Sequence, residues 1–289
     1  MRAVSTPPHL RLPGCAKAYR LETARGPFAV HDATPPDGAS GATVLLVPGY
    51  TGSKEDFITV LEPLALAGYR VLAVDQRGQY ETPGPDDESV YALSELGADL
   101  IAVADAAGDG PVHLVGHSFG GLSVRAAAIG APSALRSVTL LCSGPAAIPE
   151  PQSTRTEMLL GLLAEMELPD VWAFVSSMAE ANDEYTGVNT DVVGFMGRRF
   201  MQSAKASLIA MGKQIIDTPD RTAELAGTGV PAMVAYGEGD YIWPLAEQED
   251  MARRLGARLE VIPGAAHSPA VEHPAAFAAL MIDFWSTLR

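Results

Sequence analysis

The chain has 289 residues, of which 47% are hydrophobic, enough for one large domain with a sizeable core, or such a domain carrying an inserted lobe. A formal charge of −15 excludes the basic surface that nucleic acid requires and disfavours anionic membranes, so its plain consequence is solubility. The two cysteines, Cys15 and Cys142, lack metal-ligand or redox spacing, and free thiols in a cytoplasmic protein are expected.

The opening stretch "MRAVSTPPHLRLPGCAKAYR" has no apolar core segment, which predicts no secretory signal, and residues 1–16 read as a flexible arm. No run of about 18 apolar residues occurs, so no membrane span is expected. "KAYRLET" and "GPFAVHDA" read as two strands joined by a turn. "ATVLLVP" is a continuous apolar run of strand length, as in a strand buried on both faces. "KEDFITVLEPLALAG" has helical spacing, with Phe57, Leu61, Leu64 and Leu66 expected on one side and Gly68 at its end. Strand "YRVLAVD", helix "SVYALSELGADLIAVADAA", strand "PVHLVG", helix "SFGGLSVRAAAIG" and strand "SVTLLCS" follow.

This alternation implies an α/β fold with a mainly parallel sheet covered by helices on both faces. It stops at Gly144-Pro145, and residues 146–228 read as helical throughout. It then resumes with "PAMVAYG", a helix after Pro244, "RLEVIP" and a last helix near "HPAAFAALMIDFWSTL". The expected organisation is a core of residues 17–145 and 229–289 interrupted by a helical cap.

"GHSFGG" places Ser118 between a strand and a helix, with Gly116 and Gly120 two residues to either side, in the pattern G-x-S-x-G. A side chain at the tip of so sharp a bend sits on strained backbone, and larger neighbours would collide with it. The helix that starts there aims its amides and dipole at any negative charge forming on a bound carbonyl, so the Phe119 N–H is half of an expected oxyanion hole. A serine hydroxyl is inert near neutral pH unless a base, usually histidine, lies in hydrogen-bond reach and a carboxylate fixes the imidazole tautomer. The far end of the chain offers both. "GEGD" follows one late strand with Glu238 and Asp240, and "GAAHSP" follows the next with His267. Both follow the carboxyl ends of strands, where open parallel sheets build their sites.

The stretches "LLVPGYTGS", "VDQRGQ", "LVGHSFGG", "GEGDYIWP" and "GAAHSPAVEHP", in that order, resemble capped serine hydrolases of the α/β-hydrolase fold superfamily, esterase- or lipase-like, from about residue 17 to the end. The resemblance implies an eight-stranded-type sheet, a Ser118–His267–Asp240 triad, and Tyr50 as the second oxyanion N–H, although this chain has Pro48-Gly49 where relatives usually have His-Gly. It puts the acid at Asp240 rather than Glu238. The alternative position, after the strand before the cap, reads "CSGPAA" and holds no carboxylate. Asp75 and Arg77 of "DQRGQ" are expected to brace loops. His113 is expected to be structural, His273 to start a helix, and His117 to pack beside the serine.

Tyr50, His117, Trp172, Phe195, Met196 and Trp243 are the expected pocket lining. The apolar insert implies an uncharged, fairly hydrophobic ester or related acyl compound, cleaved through an acyl-enzyme on Ser118. Arg198-Arg199, the cap's paired basic feature, is expected to face solvent. The sequence has no nicotinamide or flavin fingerprint and no metal-ligand cluster, so neither cofactor nor metal is expected, and nothing in it fixes an oligomeric state. The same triad would also serve a C–C bond hydrolase of diketone-type compounds or a cofactor-free haloperoxidase-like enzyme. A non-catalytic binding protein could keep the fold.

Overall fold

The structure is a computed structural model that describes residues 5–38 and 42–288. Its centre is one eight-stranded sheet. The strands are β1 (Ala16–Thr23), β2 (Gly26–Ala33), β3 (Thr43–Val47), β4 (Arg70–Val74), β5 (Val112–His117), β6 (Leu135–Leu141), β7 (Ala232–Gly237) and β8 (Arg258–Ile262). They lie in the order β1-β2-β4-β3-β5-β6-β7-β8. β1 and β2 form an antiparallel pair, β2 runs antiparallel to β4, and every later pairing is parallel. The pattern follows from the residues. β3, β5 and the end of β6 are buried on both faces and mainly apolar, whereas β1 at the sheet edge is mostly exposed.

Helices cover both faces. They are α1 (Leu61–Leu66), α2 (Leu93–Ala107), α3 (Phe119–Gly130), α4 (Gln152–Glu165), α5 (Leu168–Ala181), α6 (Thr190–Gln202), α7 (Lys205–Asp217), α8 (Thr222–Gly227), α9 (Leu245–Leu255), α10 (Pro269–Glu272) and α11 (Pro274–Ser286). α1 packs with α11, while α2, α3, α8 and α9 pack in succession. The first expected helix divides into a 3-10 turn at Lys54–Phe57 and the short α1. Phe57, Leu61 and Leu64 are buried but Leu66 is 68% exposed, because at 100° per residue it falls on the face of α1 opposite Leu61 and Leu64.

Helices α4–α7 stand over the sheet's carboxyl edge. α7 forms the seam: its Ala206, Ala210, Met211 and Ile215 pack with Leu96, Phe119, Leu122 and Trp243 of the core. Leu163, Val171, Phe200 and Leu208 join α4, α5, α6 and α7 to one another. The expected insert of 146–228 takes in α8, but Leu225 of α8 is buried in the main core. The expected helical run from Val192 to Ile215 is broken at Ser203-Ala204. There the Ser203 hydroxyl donates back to the Arg199 carbonyl, and the Ala204 N–H donates at 2.8 Å to the carbonyl of Gly78 in the core.

Two expectations about this region change. Arg199 does not face solvent. Its guanidinium is 2% exposed, pairs with Asp56 at 2.8 Å, and donates at 3.0 Å to the Ser5 carbonyl. The segment expected as a loose arm is therefore held from Ser5 onward, with Thr6 and Pro7 buried; residues 1–4 of that segment lie outside the described residues. The Asp56–Arg199 pair ties α6 to the turn after β3. Burial pushes the Asp56 carboxyl up to about 6, against the opposing pull of Arg199. Removing one partner of a buried pair strands the other charge. Arg199→Met is expected to cost about 3–5 kcal/mol in urea unfolding, and Arg199→Met with Asp56→Leu to recover most of that loss.

Candidate active site

β5 ends at His117 and α3 begins at Phe119, so Ser118 carries the whole reversal. Its backbone sits at φ 54°, ψ −121°, a conformation that non-glycine residues avoid. The neighbouring glycines make it possible. A Cβ on Gly116 would overlap the Gly120 carbonyl, and one on Gly120 would lie 2.5 Å from the Val47 carbonyl and 2.6 Å from that of Pro48. Gly49, in the loop after β3, comes so close that its Cβ would meet the Ser118 Cβ at 3.0 Å.

The expected partners converge on this bend. His267 Nε2 lies 3.0 Å from Ser118 Oγ, and His267 Nδ1 lies 2.8 Å from Asp240 Oδ1. Because a carboxylate only accepts, Nδ1 carries the proton toward Asp240 and Nε2 is left to accept from the serine hydroxyl. Asp240 is buried and has two further donors, Gln248 Nε2 at 2.8 Å and the Ile242 N–H at 3.2 Å. Burial pushes its carboxyl up, but the His267 and Gln248 bonds outweigh that and hold it below the usual carboxylate range. Glu238 is elsewhere: it accepts from the Gly264 N–H at 3.0 Å and brackets the turn before His267.

The Phe119 amide opens α3, where helix geometry supplies no internal partner, and Tyr50 follows Gly49 across the bend. The loop bearing Tyr50 lacks a histidine, and two glutamines secure it instead. Gln76 donates to the Pro48 carbonyl at 2.9 Å and Gln79 to the Gly49 carbonyl at 2.8 Å. Sequence reading missed both, although they flank Arg77 in "DQRGQ". It also missed Gln248, and Glu272, whose carboxylate accepts the Ala266 and Ser268 N–H groups on either side of His267. Asp75 and Arg77 do brace loops, through Lys54 and Asp99 respectively.

A cavity of about 130 Å³ lies over Ser118. A second, of about 340 Å³, opens among α4, α5 and α6, where the sequence led one to expect a cap. Tyr50 lines both and His117 lines the first, while Trp172 and Met196 line only the second. Phe195 and Trp243 line neither. Phe195 is buried edge-on against Tyr80 with ring centres 5.5 Å apart. Trp243 fills the space over Gly144, where a Cβ would overlap it, and its Nε1 donates to the Ala146 carbonyl at 3.0 Å. The first cavity also takes Ile148, Gln152, Arg155 and Thr156 from the start of the cap, and Tyr241 from beyond β7. This lining holds a cation, Arg155, and an acid, Asp56, beside its apolar residues, whereas the sequence implied an uncharged substrate.

Among the described residues, His117, Cys142 and His267 bring metal-capable atoms within 4.8 Å of one another. Their chemistry does not suit a resident metal. Burial raises the Cys142 thiol well above its ordinary range, and both His267 nitrogens already face Asp240 and Ser118.

A scan against family models matches residues 44–280 to the alpha/beta hydrolase family. The chain belongs to the alpha/beta hydrolase family. It is 30% identical over 267 residues to a 2-hydroxy-6-oxononadienedioate/2-hydroxy-6-oxononatrienedioate hydrolase of Cupriavidus pinatubonensis, covering 86% of this chain and 88% of that one. It is also 30% identical over 249 residues to a pimeloyl-[acyl-carrier protein] methyl ester esterase of Neisseria meningitidis serogroup B, covering 83% and 92%. A thermophilic esterase from Thermogutta terrifontis, solved with malate bound, shares the fold at a TM-score of 0.73 and 23% identity, covering 94% of this chain and 99% of that one. Hydrolysis is the activity class common to the family and these relatives. Among the described residues no helix is long and apolar enough to cross a membrane.

His117 holds the loop that carries His267. Its Nε2 donates to the His267 carbonyl at 2.6 Å, a role that fixes the neutral tautomer, and burial pushes its pKa down to about 3. A histidine kept neutral by folding contributes stability that is present above its unfolded pKa, about 6.5, and is lost as pH falls toward the folded value. His117→Gln keeps a donor and removes the titration. Its unfolding free energy is expected to fall less steeply than wild type between pH 6 and 4, by up to about 1.4 kcal/mol per pH unit. Parallel profiles would contradict the assignment.

Proposed function

We propose that the chain is a serine hydrolase of carboxylic esters or related acyl compounds with a hydrophobic arm, working through an acyl-enzyme on Ser118. One observation carries the reading: the run of contacts from Ser118 Oγ to His267 Nε2 at 3.0 Å and from His267 Nδ1 to Asp240 at 2.8 Å.

In this mechanism the substrate carbonyl sits between Ser118 and the N–H groups of Tyr50 and Phe119. Ser118 Oγ forms a bond to the carbonyl carbon as its proton passes to His267 Nε2. The developing oxyanion takes hydrogen bonds from the two amides, and Asp240 stabilises the imidazolium. Collapse breaks the bond to the leaving alkoxide, which takes the proton from His267. Water then repeats the sequence on the acyl-enzyme, with His267 as base, and releases the acid. The low pKa direction at Asp240 suits this role, since the carboxylate stays ionised through the cycle.

A second reading is favoured by the 30% identity to a hydrolase of 2-hydroxy-6-oxononadienedioate, whose name points to cleavage of a dienone-type acid. Ser118 Oγ would then attack a ketone as its proton passes to His267, and breaking of the C–C bond would release a carbanion that takes that proton back. The relative named for a pimeloyl methyl ester favours the ester reading.

Ser118→Ala is expected to lower kcat on p-nitrophenyl butyrate by at least about 10³-fold, and to abolish labelling by a fluorophosphonate probe while the fold is retained. A near-normal rate in the variant would remove the assignment. Turnover of a dienone-type acid far faster than of any ester would select the second reading.

A further inference from the structure

The cavity over Ser118 and the cavity in the cap meet at Tyr50, Thr51, Arg155 and Thr156, which line both. Arg155 is the one charged side chain of the four. It stands near the start of α4, whose opening turns place Gln152, Arg155 and Thr156 along the Ser118 cavity. The amino end of that helix adds partial positive charge of the same sign.

Among the described residues the Arg155 guanidinium has no hydrogen bond and no ion pair. The other arginine of the cap cavity, Arg199, is fully engaged by Asp56 and the Ser5 carbonyl. Glu150, an acid close to Arg155 in the chain, is hydrogen-bonded by the Thr154 hydroxyl. The charge on Arg155 is felt at Tyr241, on the lining of the same cavity. Burial and the carboxylates of Asp240, Glu272 and Glu184 push that hydroxyl up to about 12, and Arg155 is the group opposing them. Beyond Arg155 the cap cavity is mainly apolar, with Met158, Leu159, Trp172, Val175 and Met178 among its walls, and Glu184 is the acid on its lining.

We propose that Arg155 binds a carboxylate of the substrate at the passage between the two cavities. The substrate class is then an acyl compound bearing a free carboxylate a few bonds from the scissile carbonyl, with any apolar extension entering the cap. The proposal rests on the reading of Ser118 for where the scissile bond lies. A guanidinium fork matches a carboxylate in shape and charge, and Arg155, exposed and without an internal partner, is free to turn its fork toward one. The chain's charge of −15 repels anions at long range, so recognition of one has to come from a short-range cation.

Matched substrates separate the effect of the carboxylate from that of chain length. The half methyl esters of succinate, glutarate and adipate are compared with methyl butanoate, pentanoate and hexanoate. For at least one length the wild type is expected to prefer the half-ester in kcat/KM by about 10–100-fold. Arg155→Gln is expected to erase most of that ratio, chiefly through KM, and Arg155→Lys to retain part of it. A wild type indifferent to the carboxylate at all three lengths, or an unchanged ratio in Arg155→Gln, would overturn the proposal.

Calorimetric binding of succinate, glutarate and adipate to Ser118→Ala, with and without Arg155→Gln, separates the two readings. At least about tenfold weaker binding in the double variant, with no ester turned over by the wild type, would keep the anion site and remove the ester reading. Equal binding would remove the anion site whatever the turnover.

Discussion

The backbone bend at Ser118 is the constraint on which the rest of the site depends. A residue at φ 54°, ψ −121° is unfavourable on its own and persists because its surroundings over-determine it. β5 is paired on both sides by parallel strands, so it cannot swing. α3 starts at once and lies against α2. Gly116 has no room for a methyl group against α3, Gly120 has none against the end of β3, and Gly49 packs tightly on Ser118 from the loop after β3. The strain is thus held by the sheet and helix layers, and the hydroxyl is delivered to one place without freedom to wander.

Around that fixed point the remaining groups are set by loops, and each loop is tied down by a polar side chain. His117 and Glu272 hold the backbone around His267. Gln248 holds Asp240, while Gln76 and Gln79 hold the strand-to-helix turn that begins at Pro48. This division is physically sensible. The sheet supplies stiffness where backbone strain is stored, and side-chain amides supply aim where only orientation is needed.

The sequence makes the sheet legible because its buried strands are apolar runs cut by glycine-rich turns. It makes Ser118, Asp240 and His267 legible because each lies in the turn just beyond the carboxyl end of a strand. What it leaves hidden has a common cause. Gln76, Gln79 and Gln248 act through hydrogen bonds to residues distant in the chain or to backbone carbonyls, and glutamine carries no periodicity or spacing that would mark it. The cap is illegible for another reason. Its large apolar residues look alike in sequence, yet Phe195 and Trp243 fill packing space while Trp172 and Met196 face a cavity. Helical spacing alone does not say which stripe meets a neighbouring helix and which meets a void. Arg199 was misjudged similarly, since its partner Asp56 lies 143 residues away.

Tyr50 belongs to both lobes at once. Its backbone lies in the turn beside Ser118, while its hydroxyl donates at 2.8 Å to the Leu208 carbonyl of α7. Gly212, one turn along the same helix, leaves room for that ring, since a Cβ there would stand 2.8 Å from the phenol oxygen. A roof that tilts away from the sheet therefore pulls on the same residue whose amide is assigned to the oxyanion. On the proposed mechanism, substrate admission and carbonyl polarisation would then share a single mechanical lever, and a roof standing open would leave the oxyanion with one amide out of place.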